Sequence, residues 1–353
     1  MDACELKIVF DRPDRTYAGG EQVTGTVEVH ADAEVTCEAL RLTWGWRTHG
    51  RGNEDRGRRS TVRLPGGTSR PGSPILHPFV VDVPNGPFTY HGHHFNVDWY
   101  LKAVADLEAW DTTAEEEFVG AWDTTAEEEL VLDPGNGQPD LGPRYKPPTS
   151  DSLISHPVRE TLSLLLGGLA ALVLTGAVAF SGATASWGSN PPTVLLAVAF
   201  AIGGTVVGGS LMYWGIGSLL LWRTLGAVEV QFDSRTGRRG DALRLVVRFV
   251  PRRAVLLTRA TARLVGRERV IKGSGDQSES FTHVLHEETV PLDPGRALPP
   301  GVPVEMTGVL RIPPSAPYSF EARDNWIEWS VEIRLAVWGR PDWVGQYPIA
   351  VVP

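Results

Sequence analysis

The sequence predicts an all-β fold, two antiparallel β-sandwiches joined through a two-helix transmembrane hairpin, on three observations. No Asp, Glu, Lys, Arg or His occurs from Thr161 to Trp222, in a chain that is 21% charged overall. On both sides of that gap, short runs of alternating apolar and polar residues are punctuated by Gly, Pro and Asp. Motifs of the first flank return in the second. At 353 residues the chain exceeds one sandwich and suits two with a connecting element.

Residues 1–133 form the first expected domain, with strands at 4–10, 22–30, 34–47, 59–64, 75–83, 95–107 and 127–132. Cys4 alternates in phase with Leu6, Ile8 and Phe10, so it and Cys37, the chain's two cysteines, are expected as buried, reduced core residues. The segment 134–160 is rich in Pro and Gly and reads as a juxtamembrane linker.

Apolar runs at 162–183 and 193–221 each supply the ~20 residues a helix needs to cross a ~30 Å hydrocarbon core. The expected spans are 161–183 and 193–222, with a short external turn at 184–192 that ends in Pro191-Pro192. The chain starts Met-Asp-Ala-Cys-Glu without an apolar leader run. Arg144, Lys146 and Arg159 precede the first helix and Arg223, Arg235, Arg238 and Arg239 follow the second, whereas the turn is uncharged. This asymmetry predicts a multi-pass protein of the cell's inner membrane with both soluble domains cytoplasmic. Gly167-x3-Ala171 and Gly204-x3-Gly208 let helices approach closely, either within the hairpin or between copies in a homo-oligomer. A span without ionisable groups lacks the parts of an ion pathway.

Residues 226–353 form the second domain, with strands at 228–232, 243–250, 256–265, 282–290, 304–312, 326–337 and 347–352. At an offset of 230, Pro84, Pro87-Phe88-Thr89-Tyr90 and Trp99 correspond to Pro314, Pro317-Tyr318-Ser319-Phe320 and Trp329. At an offset of 222, Phe10-Asp11 and Arg41-Leu42 correspond to Phe232-Asp233 and Arg263-Leu264. A duplicated module accounts for both.

The opening strand and glycine turn, Leu6-Lys7-Ile8-Val9-Phe10-Asp11 to Gly19-Gly20-Glu21-Gln22-Val23-Thr24-Gly25-Thr26-Val27, carry a family pattern. So do the later Phe79-x3-Val83-Pro84, Tyr90-His91-Gly92 and Val97-x-Trp99-Tyr100-Leu101-Lys102-Ala103. Together they resemble the arrestin-like superfamily, whose members include arrestin-domain proteins, a retromer subunit and bacterial sporulation-control proteins. The resemblance implies paired sandwiches, no active site, and a protein-binding adaptor whose partners dock on strand edges and where the domains meet. Lys7 stands alone where receptor arrestins carry a phosphate-sensing lysine pair, and the inserted hairpin is foreign to the soluble members.

Charge is unevenly spread: residues 1–133 hold 24 acidic and 12 basic side chains (net −12), and 226–353 hold 15 and 17 (net +2). The acidic first part argues against nucleic acid as a partner. A tandem copy at 109–117 and 121–129 places Asp111, Glu115, Glu116 and Asp123 in an acidic docking loop, a cation-binding surface or a merely lengthened surface loop. Eleven arginines between 235 and 269 stand against Asp241 and Glu268 alone. Alternation turns Arg244 and Arg248 outward from Leu243, Leu245, Val247 and Phe249, and with Arg259 and Arg263 they offer contacts for anionic lipid, the acidic first domain, or water. His77, His91, His93 and His94 are read as structural or solvated, since His93 and His94 point to opposite faces if extended. No nucleophile elbow, phosphate loop, C-x-x-C or H-E-x-x-H occurs, so neither catalysis nor a cofactor or metal is expected. The function expected is a membrane-anchored scaffold binding an unidentified protein partner, or alternatively a regulatory membrane subunit contacting a larger transport or envelope assembly through the hairpin.

Overall fold

A computed structural model of the chain describes residues 4–32, 34–107, 124–148, 152–155, 158–184 and 191–353. The protein is mostly β, with several sheets and two long helices.

Nine strands are described within residues 4–133: β1 (Cys4–Phe10), β2 (Thr16–Ala18), β3 (Gln22–Ala31), β4 (Val35–Gly50), β5 (Ser60–Ser69), β6 (Ile75–Asp82), β7 (Tyr90–His91), β8 (Phe95–Leu107) and β9 (Thr124–Asp133). They build one sheet in the order β1-β3-β6 and another in the order β2-β9-β8-β4-β5, with β7 on β8. Alternation decides which side is covered: Val23, Val27 and Val29 of β3 are buried and so are Leu6, Ile8 and Phe10 of β1. Gly25 carries no side chain because one there would strike Val9 and the Phe79 ring.

Next come β10 (Ser152–Ser155), α1 (Val158–Thr184) and α2 (Pro191–Leu225). The remaining strands are β11 (Val228–Phe232), β12 (Thr236–Arg238), β13 (Ala242–Phe249), β14 (Val255–Lys272), β15 (Glu279–Asp293), β16 (Arg296–Leu298), β17 (Val304–Arg311), β18 (Phe320–Glu321), β19 (Asn325–Val337) and β20 (Trp343–Val352). Their sheets run β10-β11-β13-β17 and β12-β20-β19-β14-β15. With β11 in the place of β1, β13 of β3, β17 of β6, and β12, β20, β19, β14 and β15 in the places of β2, β9, β8, β4 and β5, the order before the helices returns after them. Even the parallel pairing of β2 with β9 returns, as β12 with β20.

The local bonds repeat too. Trp99 Nε1 donates to Pro87 O at 2.7 Å and Trp329 Nε1 to Pro317 O at 3.1 Å. Thr89 and Leu132 exchange two hydrogen bonds, as do Ser319 and Val351. Gly20 (φ 81°) and Gly240 (φ 84°) take the same left-handed turn before β3 and β13.

One contiguous apolar core runs through both halves and takes in Leu221 and Leu225 at the end of α2. The stretch 134–160 departs from its reading as a plain linker: Leu141 is buried, Asp140 N donates to Asn85 O, Glu321 N to Leu141 O, and β10 adds an edge strand to β11. Proline and glycine preclude long regular elements there, but not docking against both halves. The helices start and end slightly beyond the expected spans, and both are long and apolar enough to cross a membrane. Only 11% of each apolar window is buried inside the protein, so neither is a core helix of the β-structure.

Candidate functional site

Two places join parts of the chain that are distant in sequence: the junction between the halves, and the hairpin with the end of α2. At the junction, the chain between β7 and β8 bends around Glu268 of β14. Its carboxylate accepts backbone N–H bonds from His93 (2.9 Å), His94 (2.7 Å) and Phe95 (2.8 Å) and is fully buried. Three convergent N–H groups form a concave anion site, here filled by the chain's own carboxylate. Burial and the neighbouring Glu268 hold the Tyr90 phenol well above its usual range. A second contact reaches across from 53–55: Asp55 Oδ2 accepts from Asn325 Nδ2 and Asp324 N, both at 2.8 Å, and Asn53 exchanges bonds with Gly273. Apolar rings complete the junction, with Phe88 edge-on to Tyr318 and Trp46 edge-on to Phe320, at centroid distances of 5.4 and 5.7 Å.

The histidines fall where this bend sends them. His93 and His94 do not alternate along a strand; both N–H groups turn to Glu268, their rings come to 4.8 Å, and His93 stacks on His283 at 4.2 Å. His91 turns instead to Asp98, which His49 also meets. Among the described residues no group of three or more His, Cys, Asp or Glu side chains converges to hold a metal ion.

Burial lowers the basicity of His94, opposed by Glu268 and reinforced by His93, Arg51 and His283; burial alone does the same at His77. As pH falls below about 6.5, the unfolded chain takes up protons before these folded imidazoles do. Stability is therefore expected to be full above that value and to fall as pH drops through the window below it. Comparing denaturation midpoints between pH 7 and 5 checks this, and His94→Gln should flatten the slope.

The four arginines do not make one face. Arg244 and Arg248 lie on the outer side of β13, and Arg259 and Arg263 on that of β14, in two sheets whose inner sides meet in the core. Arg248 pairs with Glu305 at 2.8 Å and also donates to Gln231; Arg263 pairs with Glu287 and Glu332, both at 2.9 Å. Acidic partners thus come from strands distant in sequence. Pairs of this kind, still partly open to solvent, add little to stability, so Arg263→Ala is expected to lower the unfolding midpoint of the full chain only slightly; a clear drop would give the pair a structural role. The acidic positions Asp111, Glu115, Glu116 and Asp123 lie outside the described residues.

In the hairpin, Gly204 lies against Thr175 and Gly208 against Leu172 and the Gly168 carbonyl. The seam uses Gly168 where Gly167 was expected: Gly168 is buried, whereas Gly167 is exposed and Ala171 half-buried. Gly215 against Leu165 extends it, a contact outside the x3 spacing. Gly208→Leu is expected to part the helices and cost roughly 1–3 kcal/mol. Gly209→Leu, at a position open to its surroundings, is the control; equal unfolding midpoints in detergent would dismiss the seam.

The exit of α2 is fixed to the second half. Arg252 N donates to Thr224 O at 2.7 Å, Arg340 Nη1 to Leu220 O at 3.1 Å, and Pro341 packs on Gly217. Compared with protein-family models and with curated proteins, the chain matches none.

Proposed function

We propose that the chain is a membrane-anchored, arrestin-like scaffold: two β-sandwich domains, both cytoplasmic, held at the inner membrane by the hairpin and recruiting a protein partner. The observation that carries this reading is the repeated sheet order and its repeated Trp–Pro and Thr/Ser–strand bonds, joined across a junction built of backbone and carboxylate contacts. Such a pair of modules offers exposed strand edges and an inter-domain surface, the features binding proteins use. The apolar outer faces of α1 and α2 support the anchor.

Residue accessibility tests the topology: a cysteine introduced by Gly188→Cys should react with an impermeant reagent in intact cells, and one at Gly67 only after lysis. The reverse pattern overturns the orientation. A second reading, a regulatory subunit of a larger assembly, draws support from Gly176, Gly203 and Gly209, small residues left open on the outer faces of the helices. Replacing the hairpin with an unrelated one separates the two: a partner retained after the exchange favours the scaffold, and a partner lost favours the subunit.

A further inference from the structure

The way α2 leaves the bilayer fixes which end of the second half approaches lipid. Along the seam, Leu165 lies against Gly215, Gly168 against Met212, Leu172 against Gly208 and Thr175 against Gly204, a single antiparallel register. Continued by one turn, it brings positions 159 and 160, the last charges before the apolar run, level with Leu221 and Leu220. The hydrocarbon edge on this side therefore lies near Gly217 and Ser218. The turn between β19 and β20 sits alongside that level, through Pro341 on Gly217 and Arg340 on the Leu220 carbonyl. At its head Trp338 is 72% exposed.

Two more connections gather at this end. Trp338 N donates to Leu256 O (3.0 Å), Gly301 N to Pro251 O (2.7 Å), and Arg252 N to Thr224 O (2.7 Å), so 250–256, 299–303 and 338–341 are tied to one another and to α2. They expose Val250, Leu256 and Val302 besides Trp338, carry Arg252, Arg253 and Arg340, and contain no acidic residue. Exposed apolar side chains with a Trp and three arginines, at the level of a helix's last apolar turn, match the chemistry of the bilayer interface, where Trp sits among headgroups and arginine meets anionic lipid.

We propose that these three loops form a membrane-facing platform that sets Trp338 into the headgroup layer of an anionic bilayer, with Arg252, Arg253 and Arg340 on the lipid phosphates. The platform rests on the reading of α1 and α2 as membrane-crossing. It holds the second half in a fixed attitude to the membrane, since the loops and the helix end are bonded together.

The test uses the full chain with Cys4→Ser and the buried Cys37 left in place, reconstituted in nanodiscs of phosphatidylcholine with or without phosphatidylglycerol. An environment-sensitive fluorophore is attached at Trp338→Cys, at Val309→Cys on the exposed side of β17, or at Val206→Cys in mid-helix. Lipid-borne nitroxides are then the quenchers. The platform predicts strong quenching at 338 by nitroxides near the headgroup, deeper with phosphatidylglycerol, and none at 309. Quenching at 206 with none at 338 overturns the platform and leaves the membrane reading standing. No quenching at 206 by deep nitroxides overturns both. In the Arg252→Glu, Arg253→Glu, Arg340→Glu variant the gain from phosphatidylglycerol should vanish; a gain equal to that of the parent overturns the role given to the arginines.

Discussion

Glu268→Ala is expected to be among the most destabilising single substitutions in the protein. The carboxylate is fully buried and serves as the acceptor for three consecutive backbone N–H groups from the other half of the chain. Truncation removes the acceptor of all three, and each buried orphan donor costs roughly 1–3 kcal/mol. A total loss of about 3 kcal/mol or more follows, read as a lower denaturant midpoint of the full chain in detergent. Glu268→Gln keeps one oxygen as acceptor but points an amide N–H₂ at a donor, so it should fall between the two. A loss below about 0.5 kcal/mol for Glu268→Ala, the range of an ordinary surface change, would mean that the bend at 93–95 holds itself without the carboxylate.

The same substitution reports on how the halves are coupled. Removing Glu268 takes away the contact that bends 93–95 onto β14 but leaves the Asp55–Asn325 bonds and the Phe88–Tyr318 pair. Local loosening, seen as faster amide exchange at 93–95 and 268 with 53–55 unaffected, is the expected intermediate outcome.

Glu268 also shows why part of the junction escaped a reading of the sequence. In the run Arg267-Glu268-Arg269 a glutamate looks like one more solvated charge, and its partners lie about 175 positions away in the chain. The missed signal was phase: carried past Val265, the alternation of β14 puts Glu268 in step with the buried Leu264 and Val270. Asn325 is in step with Ile327 and Trp329 for the same reason. By contrast β13 was legible outright, because Leu243, Leu245, Val247 and Phe249 alternate without interruption. The helical hairpin was legible from composition alone, but its seam was displaced by one residue, since a small-x3-small pattern marks a face without saying which of two adjacent glycines meets the partner helix. Strands of two or three residues such as β2, β7, β12 and β18 have no period to detect; their partners define them. The paired acids facing Arg248 and Arg263 were invisible for the same reason as the partners of Glu268, being neighbours across strands and not along them.

Trp329→Ala should match the Glu268 variant in size through a different mechanism. The indole is 2% exposed, packs over the backbone of Gly266, where any side chain would collide with the ring, and donates its N–H to Pro317 O. Truncating a buried Trp to Ala costs roughly 3–5 kcal/mol because the surroundings relax only partly into the space. The orphaned carbonyl adds to it. Trp329→Phe retains most of the packing and loses the hydrogen bond, so about 1 kcal/mol is expected from that variant. Trp99 provides the comparison: it makes the same bond to Pro87 but pairs in register with Trp46, where Trp329 faces Gly266. A full indole stands opposite Trp99 and can settle into the space left by Trp99→Ala, whereas Trp329 faces a glycine and has only the smaller His286 ring, 6.1 Å away, to move toward the space left by Trp329→Ala. The C-terminal variant should therefore lose more than its N-terminal counterpart, measured by denaturant unfolding of the full chain. Equal losses would mean that Trp46 does not move, and a loss below about 1 kcal/mol for Trp329→Ala would mean that the ring and the Pro317 bond do not anchor this half of the duplication.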